Sequence, residues 1–170
     1  MQKSATALFR IILLAMACMA ADGCARAPRE IQPIAHNGVI DLRSWDFARD
    51  GVVPLSGTWE LYWNKLIQPA LAADLPAPRL IDIATPWTEI ADGGPAPPGH
   101  GFATYRLRVL LKEAPPLMGF KLDLALIAAR VWIDGESAGE IGQVGISPAS
   151  ETSERRVGVF YCAPRHAEFD

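Results

Sequence analysis

The stretch FATYRLRVLL, residues 102–111, decides the fold class. In an extended chain Tyr105, Leu107, Val109 and Leu111 fall on one side, and Thr104, Arg106 and Arg108 on the other. A helix would scatter both sets around its axis. A period of two sorts them, so the segment is a strand with one buried and one wet face. Upstream, GTWELYW (residues 57–63) alternates in the same way, with Trp59, Leu61 and Trp63 against Thr58, Glu60 and Tyr62. Downstream, Phe120, Leu122, Leu124 and Leu126 alternate with Lys121 and Asp123. A further strand, residues 129–133, ends at Asp134 and Gly135, which tolerate positive φ and suit a tight hairpin turn. Shorter strands are expected at residues 39–42, 79–83 and 155–161.

The segments between these strands are rich in turn formers. Residues 43–50 suit a turn or a single helical turn. Pro54 makes residues 51–56 an extended lead-in, since it has no N–H for a central ladder. A short helix is expected over residues 64–71, ending near Pro69, with the Pro-rich residues 75–78 blocking continuation. Thr85, Pro86 and Trp87 form an extended corner, and ADGGPAPPGHG (residues 91–101) is a loop. Pro115 and Pro116 break the chain again. Gly139, Gly142 and Gly145 make the return from the hairpin a bend or loop, and residues 162–170 are weakly patterned. Many short strands with few helices predict an all-β fold, a jelly-roll β-sandwich of two layers. A closed sandwich needs another strand or two, so the fold is expected to be incomplete at its C-terminus.

Charge narrows the partners. The chain has 16 Lys and Arg against 19 Asp and Glu. Setting aside Lys3, Arg10 and Asp22 of the leader leaves 14 basic and 18 acidic side chains. A nucleic-acid partner would need a basic footprint, so none is expected. Cys18, Cys24 and Cys162 are the only cysteines, and Cys162 alone lies in the folded region, so no internal disulfide is expected.

The N-terminus reads as a leader. Lys3 and Arg10 precede IILLAMACMAA (residues 11–21). As a helix this run spans about 16 Å, whereas a bilayer core of about 30 Å needs about twenty residues. Positive charge before a short apolar run suits a secretory signal. A short buried helix and an uncleaved anchor are the competing readings. Ala21, Asp22 and Gly23 before Cys24 form a weak lipoprotein box, making Cys24 the lipidation candidate, and ordinary cleavage near Ala21 or Ala25 is the alternative. The expected organisation is a signal peptide or lipoprotein leader over residues 1–24, a tether over 25–37 and a β-sandwich over 38–170. The expected location is periplasmic or otherwise extracytoplasmic.

In order along the chain, GTWELYW (57–63), TPW (85–87), GFATYRL (101–107) and ARVWIDG (129–135) with Gly139 resemble the galactose-binding-like jelly roll that opens many β-galactosidases and β-glucuronidases. They are more similar to the extracytoplasmic sensor domain of bacterial seven-transmembrane signalling receptors, over residues 38–160. The resemblance implies a domain outside the inner membrane that senses a small molecule or carbohydrate. In those receptors it signals through seven helices to a histidine kinase or cyclase. This sequence departs from the pattern in lacking the helices, the output domain and the asparagine-phenylalanine-histidine segment of the family's last strands. The expected role is a ligand-sensing or carbohydrate-binding module of a membrane signalling system, without its own catalytic activity. An exported lipoprotein that binds a protein partner at an open sheet edge is the first alternative. An accessory domain of a divergent hydrolase is the second.

Candidate ligand residues follow from chemistry. An exposed indole stacks on the apolar face of a sugar, while a buried one fills core. Trp45, Trp59 and Trp63 are expected as packing. Trp87, at a loop edge, and Trp132, opposite in phase to Val131 and Ile133, are ligand candidates that compete with core readings. His100 in the Gly-rich loop and Tyr105 beside it suit a pocket wall. Arg106, Arg108 and Arg130 are candidates to hold a carboxylate or phosphate through paired guanidinium donors. Solvated surface charge is the competing reading for all three. Glu60, Asp123, Asp134, Glu136 and Glu140 show no pattern that fixes the separation glycoside hydrolysis requires. His36, His100 and His166 lack metal-ligand spacing. Ser147 and Ser150 lack a nucleophile-elbow frame. No catalytic residue, metal or cofactor is expected.

Overall fold

The hairpin at Asp134 and Gly135 forms as its backbone chemistry requires, with φ of 52° and 80°. Both values lie in the left-handed region that a two-residue hairpin loop demands. The structure, a computed structural model, describes residues 32–68, 75–91, 94–123 and 127–170. The leader with Cys24, most of the tether and the end of the expected helix at 69–71 lie outside the described residues.

The chain is all-β. Its strands are β1 (Val39–Asp41), β2 (Thr58–Trp63), β3 (Arg79–Asp82), β4 (Ala103–Arg106), β5 (Arg108–Leu110), β6 (Met118–Asp123), β7 (Ala129–Ile133), β8 (Glu136–Ile141), β9 (Val157–Cys162) and β10 (Glu168–Phe169). One sheet runs β1-β5-β10, with β1 parallel to β5 and β10 antiparallel to it. A second runs β3-β2-β4, antiparallel throughout. β6 pairs with β9, and β7 with β8. A single helical turn, Phe47–Asp50, follows Asp46, whose carboxylate caps it by accepting from the amides of Ala48 and Arg49.

The stretch 102–111 keeps its burial pattern but not its continuity. Leu107, Val109 and Leu111 are buried, as the alternation predicts. The hydrogen-bond partner changes at Leu107: β4 pairs with β2, while β5 pairs with β1 and β10. One chain therefore stitches two sheets together. Its apolar side supplies Leu107, Val109 and Leu111 to a core cluster with Ala35, Ile40 and Leu42. Tyr105 packs instead on a second cluster of Leu61, Ile81 and Ile90.

Four segments differ from the sequence reading. The tether ends early, because Ala35 is fully buried and bridges Gly57, while His36 pairs with Val39. Residues 65–68 form no helix. The Thr104 hydroxyl accepts from the Ile67 amide and donates to the Lys65 carbonyl, each at 2.9 Å, so their backbone groups are committed to β4. The return from the hairpin is a strand as far as Ile141, with a bulge at Ala138, since Val131 pairs with Gly139 and Trp132 with Ser137. Gly139 lies within it because Phe160 of β9 packs there: a Cβ would stand 2.9 Å from that ring. The tail supplies β10, which covers the edge of β5 and brings Phe169 onto the first core cluster. Ile141, fully buried beside Phe160 and Gly158, holds β8 against the inner side of β9. Burying such a side chain contributes roughly 2–3 kcal/mol.

Candidate functional site

Alternation along β2 and β4 builds an aromatic corner. Leu61 faces Tyr105 and Trp63 faces Ala103 across the ladder, so Trp63 and Tyr105 are diagonal neighbours on one face. A 3-10 turn, Trp87–Glu89, brings the third ring. The Trp87 indole Nε1 donates to the Tyr105 hydroxyl. Trp63 and Trp87 meet edge to face, with centroids 4.7 Å apart and planes at 78°. That geometry suits two quadrupolar rings. All three aromatics are half-buried. Burial raises the Tyr105 pKa, and the Trp87 hydrogen bond partly opposes it.

The Gly-rich loop closes on this corner. Pro97 is buried, and Arg79 donates to the Pro95 carbonyl. A Cβ on Gly101 would stand 2.5 Å from the Trp63 ring, so only glycine lets the loop lie against the indole. His100 is exposed immediately before it. Of the expected ligand residues, the fold thus gathers Trp87 and Tyr105, with His100 beside the glycine that touches Trp63. Trp63, expected as packing, is half-buried and meets Trp87 edge to face in this corner.

The arginines lie elsewhere, each facing a carboxylate of its own chain. Arg106 is on the opposite face of β4 from Tyr105 and pairs with Glu60 at 3.6 Å and with Asp170 beyond β10. The Tyr62 hydroxyl donates to Glu60 at 2.8 Å, closing a network across β2, β4 and the tail. Burial alone would lower the Arg106 pKa, but Asp170, Tyr62 and Glu60 together raise it. Burial, then Glu60, raises the Tyr62 pKa. Arg108 pairs with Glu168 at 3.5 Å, and Arg130 with Glu140 at 2.9 Å across the β7–β8 ladder. Trp132 lies on the same ladder, beside the register shift after Val131. Arg130 and Trp132 thus belong to a different ladder from the aromatic corner.

A second surface was not singled out by the sequence reading. Val157, Val159 and Tyr161 line the outer face of β9 and are 49%, 51% and 67% exposed. Gly158 and Phe160 between them are buried. The signal was present in the sequence: VGVFYC is apolar in both phases, a pattern of strands covered on both faces.

Among the described residues, no cluster of His, Cys, Asp and Glu is placed to hold a metal ion. Among them too, no helix is long and apolar enough to cross a membrane. No protein-family model, curated protein or solved structure matches the chain.

Proposed function

We propose that the chain is an exported recognition module without catalytic activity, built as a galactose-binding-like jelly roll. Its ligand is a neutral molecule with an apolar face, a carbohydrate, held at the corner of Trp63, Trp87 and Tyr105. The observation that carries this reading is the corner itself. Three half-buried aromatics from three elements are locked in orientation by one hydrogen bond and one edge-to-face contact. Preorganised rings lose little entropy on binding, and sugar C–H faces stack on them. The ligand is neutral on this reading because Arg106, Arg108 and Arg130 already face carboxylates of the chain. The leader and the ordered motifs support placing the module outside the inner membrane, where it would serve a signalling system as the resembling sensor domains do.

The test is a titration of the full chain with neutral mono- and oligosaccharides and, separately, with small anions, following the indole N–H resonances of Trp63 and Trp87. Saturable shifts with a sugar and none with the anions are expected. Trp87→Phe should weaken binding roughly tenfold by shrinking the stacking face. Indole resonances that stay fixed across the sugar panel would remove the corner as a carbohydrate site.

A further inference from the structure

The outer face of β6 and β9 carries an inference independent of the aromatic corner. β9 is apolar on both sides, and the described residues bury one side and leave the other half exposed or more. Phe160 and Gly158 pack against β8 through Gly139 and Ile141. On the other side Val157, Val159 and Tyr161 stand half to two-thirds exposed. Across the ladder they face Asp123, Lys121 and Gly119. The Tyr161 ring leans over Gly119, where a Cβ would be 3.4 Å away. Lys121 and Asp123 pair at 3.0 Å while remaining 62% and 66% exposed. The face therefore holds one apolar column beside one positive and one negative charge, two residues apart.

We infer that two copies of this chain pair through this face about a two-fold axis. The argument is self-complementarity. Leu122 and Gly158 are opposite each other in the ladder. Consider an axis lying in the plane of the face and crossing the strands at that level. It sets Val157 over Val159 of the second copy, and Val159 over its Val157. It sets Lys121 over Asp123 of the second copy, and Asp123 over its Lys121. A single operation thus matches both the apolar column and the charges, as an isologous interface requires. Counting Leu117, 62% exposed beside β6, the face offers on the order of 600 Å² per copy. The total of about 1,200 Å² reaches the lower bound of stable interfaces.

Sedimentation equilibrium of the full chain across a range of concentrations tests this. A monomer–dimer equilibrium is expected. Val159→Glu, at an exposed position, should weaken the dimer by roughly tenfold or more, with circular dichroism unchanged. Lys121→Glu alone should weaken it also, by setting like charges together. The double variant Lys121→Glu with Asp123→Lys should recover wild-type affinity, because the two-fold pairing is restored with the signs exchanged. A chain that stays monomeric, a dimer indifferent to Val159→Glu, or a double variant no better than the single one overturns the proposal. So does a monomer whose Val159 and Tyr161 resonances shift with phosphatidylcholine vesicles, which would make the face a lipid contact. The sugar titration reads Trp63 and Trp87 on other elements, so either proposal can fail without the other.

Discussion

Asp41 and Arg43 show how far two adjacent charges can be read at the residue scale. The Arg43 guanidinium donates to the Asp41 carboxylate, and the Arg43 amide donates to the same group at 3.0 Å. The side-chain bond, then the backbone bond, hold the Asp41 pKa down at about 2. A depressed folded pKa means the contribution is fully present above the ordinary carboxylate value and lost as pH falls through about 2. Both groups are half exposed or more, so the energy is small. An NMR titration of the Asp41 carboxyl should place its midpoint near 2 in the native chain and closer to 3.8 in Arg43→Ala. Backbone space gives a sharper contrast. Gly57 and Gly135 both have positive φ, but only Gly57 is enclosed, with a Cβ falling 2.4 Å from the Ala35 carbonyl oxygen. Gly135→Ala should cost about 1–2 kcal/mol from φ alone. Gly57→Ala should cost clearly more, because the bridge to Ala35 must also open. Urea unfolding of the two variants measures the difference.

Among the elements, period-two alternation sorts Leu107, Val109 and Leu111 correctly but not Tyr62, which is buried on the side read as wet, and it is a poor guide to where strands end. Residues 102–111 bury the expected side chains, yet the partner switch at Leu107 depends on β1 and β2, which no local pattern in that stretch records. β10 was illegible for the same reason. A two-residue strand has no period, and it forms because β5 presents an edge and Phe169 has a core to enter. Gly139 looked like a breaker, and its neighbour Phe160 is twenty-one positions away, so the sequence around it could not show the contact. At the candidate site, Tyr105 joins Trp87, while His100 lies exposed in the loop before Gly101. Alternation alone puts Arg106 and Tyr105 on opposite faces, but that Trp87 joins Tyr105 rests on a contact eighteen positions apart, which no local pattern records. Arg106 ties three elements, so its loss should be felt in the tail. Arg106→Gln should cost about 1 kcal/mol, since the guanidinium is partly exposed. More specifically, it should speed hydrogen exchange at the Leu111 amide, which donates to the Ala167 carbonyl next to β10. Unchanged exchange there would mean that the backbone and Phe169 hold the tail unaided.

The whole described fold depends on how its two core clusters communicate. Trp45 and Trp59 pack against the first, around Ile40 and Val109. Trp87 packs against the second, around Leu61 and Ile81, and Trp63 meets it edge to face. The continuous chain of β4 and β5 joins the two clusters, and β2 places Trp59 on one and Leu61 on the other. Neither sheet of three strands can keep its register if the other releases that shared chain. Cooperative unfolding follows, because opening one cluster exposes apolar surface of both while freeing little extra backbone. Fluorotryptophan labelling with 19F NMR can follow the indoles separately during urea unfolding. The native signals of Trp45, Trp59, Trp63 and Trp87 should vanish with one midpoint. Leu107→Ala, at the buried joint between β4 and β5, should cost about 2–5 kcal/mol and move all four signals together. Signals of Trp63 and Trp87 lost at lower urea than those of Trp45 and Trp59 would show that the joint does not couple the clusters. The aromatic corner would then be an independently opening part of the fold, and its preorganisation for a ligand would be lost.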